Sequence, residues 1–426
     1  MRAADAIAEL DARDERRIEP GLDRIRALVE LMGEPHLAYP TVHVAGTNGK
    51  TTTARLVGRI LCAHGVTAGV HTSPHLWRVT ERFTFCDEPI GDEEFAETYA
   101  HLKLFLDEVD RRGDPVTYFE ALTALAFLWF ADKPVEVGVL EVGMGGRWDA
   151  TNVIRSEVAV LCPVALDHPE LGATVAEVAA EKAGVLKEGT RAVVREQAAE
   201  ARAVIEARAE EVGATLRHEL EDYRVVARDL AVGGQRLAVQ GLRREYRGLF
   251  LPLHGEHQAR NAGAAIAAAE LVLERELADE PLREALAGAR SPGRMEVVSR
   301  HPMVVLDGAH NPAGAETLAA AVGEAFLWKK LYLVLGVLEP KDVEGIVQAL
   351  APRVTSAFTC ASASPRAMDP GHLAEVCDRA GLPAIAHATV AEAVEAALAA
   401  ADDDDLILVT GSLSTVADAR PRFVPT

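Results

Sequence analysis

The chain is poor in cysteine and in basic charge, and it has no long apolar run. Its five cysteines (Cys62, Cys86, Cys162, Cys360, Cys377) are odd in number and widely scattered, a pattern of neither a disulfide framework nor a zinc site. The longest apolar stretch, Ala121 to Ala131, falls well short of the roughly 20 residues that span a bilayer. The opening Met1-Arg2-Ala3-Ala4-Asp5 has no apolar core of a signal peptide. These absences predict a cytoplasmic protein with no membrane partner. With 44 Lys and Arg against 65 Asp and Glu, the net charge of -21 argues against nucleic acid, which calls for a basic face. It leaves anionic small substrates open, because a few local cations and metals override the global field. Asp402-Asp403-Asp404-Asp405 reads as a solvated loop before a strand.

An apolar content of 49% with 26% charged residues fits a globular protein, and 426 residues exceed one ordinary core, so two or three domains are expected. Apolar segments of strand length alternate with helical patterns, which predicts an α/β protein with mostly parallel sheets. Strands are predicted at Thr41–Ala45, Val135–Val142, Glu157–Val164 and Arg191–Val194, with helices at Thr51–His64, Phe119–Phe130 and Thr174–Ala183. Tyr223–Leu253 alternates apolar and polar residues around Gly233-Gly234, the signature of an antiparallel hairpin inserted in the domain, and an alanine-rich helix follows from His257. Ser291-Pro292-Gly293-Arg294 reads as a linker. Beyond it, strands at Met303–Leu306, Leu331–Val337, Ser356–Cys360, Ala384–Ala388 and Leu406–Thr410 predict a smaller Rossmann-like domain. The boundary falls between 1–290, a P-loop-type domain, and 291–426.

The most informative segment is Val42-His43-Val44-Ala45-Gly46-Thr47-Asn48-Gly49-Lys50-Thr51-Thr52-Thr53. A strand runs into a glycine turn, and Lys50-Thr51 opens a helix. Turn N–H groups, a lysine ammonium and a helix N-terminus together seat a polyphosphate, and Thr51 stands where P-loop proteins hold Mg²⁺. The longer pattern needs a glycine where this chain has Val44, so this is the shorter Gly-x-x-Gly-Lys-Thr form.

Other motifs stand at predicted strand ends, where ligands lie in open α/β sheets. Glu141, before Gly143-Met144-Gly145-Gly146, either holds Mg²⁺, directly or through water, or caps the glycine turn. His168 in Leu166-Asp167-His168 is a ligand or a hydrogen-bonded loop residue. Lys182 in Glu181-Lys182-Ala183-Gly184 either complements a helix dipole or loses its proton and reacts with CO₂ to give a metal-binding carbamate. Ser73 in Thr72-Ser73-Pro74-His75-Leu76 forms a turn or faces the metal beside Thr51. In the second domain, Asp307 can accept ribose hydroxyls and Arg294 can bridge phosphates; their plainer readings are a tight turn and a surface ion pair.

Taken together, these motifs resemble the Mur ligase superfamily, and within it the folylpolyglutamate synthase family, often bifunctional with dihydrofolate synthase. The resemblance covers nearly the whole chain and includes Thr117-Tyr118-Phe119-Glu120, Asp149-Ala150-Thr151-Asn152, His254 to Asn261 and Asp307-Gly308-Ala309-His310-Asn311-Pro312. It implies an ATP-dependent amide ligase. Thr51, Ser73 and Glu141 match the ligands of one Mg²⁺; Glu141, His168 and Lys182 match the surroundings of a second. Lys182 falls on a lysine that family members carry as N6-carboxylysine. Lys50, Lys182, His168 and His310 are the implied catalytic residues. Asn48, Gly49, Lys50, Thr51, Thr52, Asn261, Arg294 and Asp307 match ATP-binding positions. Thr117, Tyr118, Phe119, Glu120, Asp149, Ala150 and Thr151 match the pteroate site, and His310 and Ser412 are candidates for incoming glutamate. Implied partners are L-glutamate with a folate or dihydropteroate, acting on a monomer. Two departures leave room for altered substrate preference. Gly49-Lys50-Thr51-Thr52 stands where many folate-branch loops read Gly-Lys-Gly-Ser or Gly-Lys-Gly-Thr, and Pro169 follows His168.

The implied reaction activates a carboxylate as an acyl phosphate, which the glutamate amine then attacks. Closure about Pro292-Gly293 is expected to exclude water. The nearest alternative is a cell-wall Mur-type amino-acid ligase, which shares the phosphate loop. A nucleotide switch or kinase is disfavoured, since no Asn-Lys-x-Asp guanine signature occurs. A decayed binding protein would not be expected to keep Lys50, Thr51, Glu141, His168 and Lys182 together.

Overall fold

The computed structural model describes residues 1–13 and 19–424. The chain divides into two compact units. The first comprises the chain up to Arg228 with Arg236–Phe250 and Arg260–Ala289; the second takes Asp229–Gln235, Leu251–Ala259 and everything from Arg290.

The first unit is built on an eight-stranded sheet. Its strands are β1 (Thr41–Ala45), β2 (Ala68–His71), β3 (Phe83–Phe85), β4 (Glu88–Pro89), β5 (Val137–Glu141), β6 (Val158–Leu161), β7 (Arg191–Val194) and β8 (Thr215–His218). Their order is β4-β3-β2-β5-β1-β6-β7-β8. From β2 to β8 every pairing is parallel; β3 and β4 add an antiparallel edge. β1 lies between β5 and β6 and is buried at all five positions, which is why it does not alternate apolar with charged residues. This order carries the function. Loops leaving β2, β5, β1 and β6 emerge side by side along one edge, so residues distant in sequence become neighbours.

The apolar run that looked too short for a membrane is the helix Tyr118–Asp132, buried on nearly every side among Tyr99, Phe95 and Phe83. Its start is set by a capping box in which Thr117 Oγ1 accepts from Glu120 N and Glu120 Oε2 accepts from Thr117 N. Among the described residues no helix is long and apolar enough to cross a membrane. The insertion has three strands, β9 (Arg224–Ala231), β10 (Gly234–Gln240) and β11 (Glu245–Leu251), one more than a simple hairpin around Gly233.

The second unit carries β12 (Glu296–Arg300), β13 (Met303–Leu306), β14 (Leu331–Leu335), β15 (Ser356–Thr359), β16 (Ala384–Ala386) and β17 (Leu406–Thr410), ordered β12-β13-β17-β14-β15-β16. Only β12 runs antiparallel to its neighbour. Val305, Leu333, Leu335 and Leu408 fill its core with helices Pro312–Ala325 and Val343–Leu350.

Two expectations are corrected. Cys62 and Cys86 form a disulfide, although their spacing carries no disulfide signature. The last turn of helix Lys50–Ala63 and the β3–β4 turn both abut the start of β2, where Ala68 N contacts Cys62 Sγ and Ala68 O accepts from Cys86 N. Sheet pairing that no local pattern reports therefore juxtaposes the two thiols. Asp405 is not solvated: it is buried, and its carboxylate accepts from Lys330 N and Asp402 N. Asp402 to Asp404 are exposed.

The disulfide closes a 24-residue separation, for which chain entropy predicts about 3 kcal/mol of stabilisation. The double variant Cys62→Ser, Cys86→Ser is expected to lose roughly that amount in denaturant unfolding under non-reducing conditions. Equal stability of the two proteins would show that the bond contributes nothing.

Candidate active site

β1 is followed by Gly46, whose φ of 140° and close approach to Cys162 exclude a side chain: a Cβ there would lie 2.6 Å from the Cys162 Cβ. The turn continues through Thr47, tied across to the loop after β6 by Thr47 N to Pro163 O and Thr47 Oγ1 to Ala165 O, both 2.9 Å. Gly49, in the left-handed region at φ 90°, then starts helix Lys50–Ala63. The N-terminal turn of this helix thus opens at the sheet edge, with Lys50 Nζ donating to Thr47 O at 3.2 Å.

Glu141 ends β5 beside this turn, paired in register with Val44, and only 1% of it is exposed. Its Oε1 accepts from Thr51 Oγ1 at 2.8 Å and its Oε2 from the Ser73 amide at 3.0 Å. One carboxylate therefore joins the loops after β1, β2 and β5. For Ser73 this bond uses the backbone N–H, not the hydroxyl.

Lys182 is buried in the last turn of helix Val175–Lys182, and its Nζ donates to Gly46 O at 2.9 Å. Burial, with the Lys50 charge, presses its pKa down to about 7, while Asp167, Asp149 and Glu181 pull the other way. The amine is thus substantially uncharged at neutral pH. His168, after β6, pairs through Nε2 with Asp167 Oδ2 at 3.2 Å. Asp167 is a site residue that sequence reading passed over; its only signal was its place before His168.

Beside these groups lies a cavity of about 530 Å³ lined by Ser73, Thr117, Tyr118, Phe119, Glu120, Asp149 and Ala150, so the structure brings two separate predicted segments to one wall. Two of the predicted residues are already engaged. Glu120 caps its own helix and accepts from Arg24 Nε through both oxygens. Thr151 is fully buried behind Asp149, donating to Asp149 Oδ1 and contacting His43 Nε2 at 2.8 Å, and it does not line the cavity. Burial raises the Asp149 pKa despite these bonds. The cavity adds Arg82, Trp148 and Glu181, to which the sequence reading gave no role. Arg82 Nε donates to His75 Nδ1 at 2.9 Å, and burial followed by the Arg82 charge presses the His75 pKa to about 3.

In the second unit, Asp307 ends β13 and accepts from Met295 N and Ala309 N, both 2.8 Å. Arg294 donates to Gly293 O, and its Nη1 lies 2.5 Å from where a Gly308 side chain would begin. His310 Nδ1 contacts Gly308 O. Ser412 caps helix Leu413–Ala419, accepting from Thr415 N.

Among the described residues no group of three or more His, Cys, Asp and Glu could hold a metal. The oxygens of Thr51 and Glu141 nonetheless suit Mg²⁺, which takes one or two carboxylates and completes its shell with water and phosphate.

A profile of the Mur ligase middle domain matches residues 44–269, and one of the Mur ligase glutamate ligase domain matches residues 293–413. The chain belongs to the Mur ligase family, whose members of this kind are ATP-dependent ligases. Its relatives narrow the class to the folylpolyglutamate and dihydrofolate synthases. The dihydrofolate synthase/folylpolyglutamate synthase of Mycobacterium tuberculosis is 40% identical, covering 96% of this chain and 91% of that one. The Escherichia coli enzyme of the same description is 35% identical over 94% and 90%. Mycobacterium tuberculosis folylpolyglutamate synthase complexed with ADP superposes with a TM-score of 0.96 at 39% identity, covering 100% of this chain and 98% of that one. Escherichia coli FolC in complex with DHPP and ADP gives 0.87 at 32% identity, over 98% and 96%.

The lysine yields a pH prediction. Its folded pKa of about 7 lies below its ordinary 10.5, so between these values the unfolded chain binds more protons and stability rises with pH. Lys182→Met is expected to flatten that rise when melting temperature is followed across the interval. An unchanged slope would mean that Lys182 stays charged.

Proposed function

We propose that this ligase joins the α-amine of L-glutamate to the carboxylate of a reduced folate, and to dihydropteroate as a second acceptor, through an acyl phosphate. The observation that carries the reading is Glu141, which gathers Thr51 and Ser73 at the phosphate turn beside the 530 Å³ cavity. The relatives' shared description favours a folate acceptor over the cell-wall alternative.

The acceptor carboxylate attacks the γ-phosphorus of ATP, and the bond to the ADP oxygen breaks. The glutamate amine then attacks the acyl carbon and phosphate leaves. Two anions meet in the first step, and the Lys50 ammonium with the first N–H groups of its helix stabilises the charge spreading over the transferring phosphoryl group. Thr51, Ser73 and Glu141 would hold one Mg²⁺, and Glu141, His168 and Lys182 would surround a second. Bound there, Mg²⁺ supplies further neutralisation of phosphate charge. An uncharged Lys182 amine is the form that adds CO₂, and its carbamate would turn a cation repelling a metal into an anionic oxygen ligand. Phe119 and Asp149 line the acceptor's cavity. Arg294 and Asp307 are read as nucleotide contacts, and His310 as a glutamate contact.

Lys50→Ala is expected to abolish acyl-phosphate formation and to lower ADP release by on the order of a thousandfold. ADP release is measured with dihydropteroate or tetrahydrofolate, each with and without glutamate. Near-normal turnover in the variant would reject the assignment, and turnover with neither acceptor would reject the substrate class. Protein equilibrated with ¹³C-bicarbonate is expected to show a carbamate carbon signal that Lys182→Ala lacks; the same signal in both would remove the modification from Lys182.

A further inference from the structure

The cavity beside the phosphate turn holds an aromatic residue to which the reading above gives no role. Of the four tryptophans, Trp148 alone is exposed, at 50%, and it lines this cavity together with Phe119 and Asp149. An exposed tryptophan on an open surface needs no explanation; in the lining of a cavity it is part of what a ligand meets. Its half-solvated indole keeps a large apolar π-face, which a flat ring covers best in offset stacking.

The main chain that carries this indole is held from both sides. Trp148 N donates to Glu181 Oε1 at 3.2 Å, and Arg147 N donates to Glu181 O at 2.9 Å. Arg147 O in turn accepts from Asn152 Nδ2 at 3.0 Å. A Cβ at Gly146 would lie 2.8 Å from both Glu181 O and Lys182 O, and one at Gly184 only 2.6 Å from Arg147 Cα. The loop is thus packed backbone to backbone on the end of helix Val175–Lys182. On the other side Asp149 is buried and accepts from Met144 N at 2.9 Å. A ring on fixed main chain, with two side-chain torsions of its own, loses little freedom when a ligand covers it.

Two flat ligands compete for such a face: the rings of the acceptor and the adenine of the nucleotide. No residue of the phosphate turn, 46–52, lines the cavity, whereas Thr117, Phe119 and Asp149 do. That lining favours the acceptor. We propose that Trp148 is a specificity-determining residue of this ligase, an aromatic platform on which the flat rings of the acceptor stack. This rests on the reading of the cavity as the acceptor's. The rings take no part in the chemistry at the carboxylate, so the contact is equally strong before and during phosphoryl transfer. Trp148 therefore acts on acceptor affinity and not on turnover.

The test uses the full chain and follows ADP release with ATP, glutamate and either dihydropteroate or tetrahydrofolate. It reads KM for the acceptor, KM for ATP and kcat separately. Trp148→Ala is expected to raise acceptor KM by about tenfold. Trp148→Leu keeps apolar bulk without a π-face and is expected to raise it about fivefold, while Trp148→Phe restores it to within about twofold. The side chain is exposed, so melting temperatures should stay at the parent value. An unchanged acceptor KM in Trp148→Ala overturns the proposal, and so does a leucine variant that matches the parent, because apolar area alone would then suffice. A rise in KM for ATP in place of the acceptor gives the indole to the nucleotide and overturns it too. A parent protein that turns over neither acceptor overturns the acceptor reading, and the proposal with it.

Discussion

The site depends on one buried carboxylate. Glu141 accepts from Thr51 Oγ1, 90 residues away, and from the Ser73 amide, 68 residues away, so three segments converge on a single side chain. A buried carboxylate is costly unless hydrogen-bonded, and these two contacts offset that cost. Backbone topology makes the convergence cheap. With β2, β5 and β1 adjacent and parallel, their ends are already side by side, and Glu141 has only to close the remaining gap.

The same economy governs charge. The chain is acidic overall, yet at the phosphate turn the local groups are Lys50, a helix N-terminus and a lysine whose pKa is pressed down to about 7. Burial and Lys50 both oppose the charge of Lys182, whose Nζ donates to Gly46 O. That lowering is a property of position, so net charge says nothing about this site. The buried acids nearby are individually answered: Asp149 by Thr151 and the Met144 amide, Glu219 by two arginines.

These particulars explain what could be read in the sequence. β1, β7, β13 and β17 were legible to the residue because each is a short apolar run bounded by turn residues. Glu141, Lys50 and Thr51 were legible because strand ends and glycine turns are punctuated locally. Four elements had no such punctuation: β3, β4, β8 and β12 are short or partly exposed strands at or next to a sheet edge, placed by their pairing and not by a local pattern. The Cys62–Cys86 bond is invisible for the same reason. So is the place of Arg82 in the cavity lining, which comes from what the sheet brings beside it. Thr151 was placed at the cavity wall by its motif, but a motif fixes sequence neighbours, not which of two successive side chains faces inward.

The loop after β5 shows how tightly binding and chemistry are joined. Two residues beyond Glu141, a Cβ on Gly143 would meet the Phe119 ring at 2.5 Å, so that ring lies directly on the backbone of this loop. Phe119 in turn lines the 530 Å³ cavity, and Asp149, whose Oδ2 accepts from Met144 N, ties the far end of the same loop to the cavity wall. The segment carrying Glu141 is therefore also the floor of that cavity, where the acceptor is proposed to bind. An acceptor that pushed on Phe119 would push on the backbone leading to Glu141. Interiors packed this closely transmit such displacements without absorbing them, so acceptor fit and phosphate-site geometry are coupled through two residues of main chain.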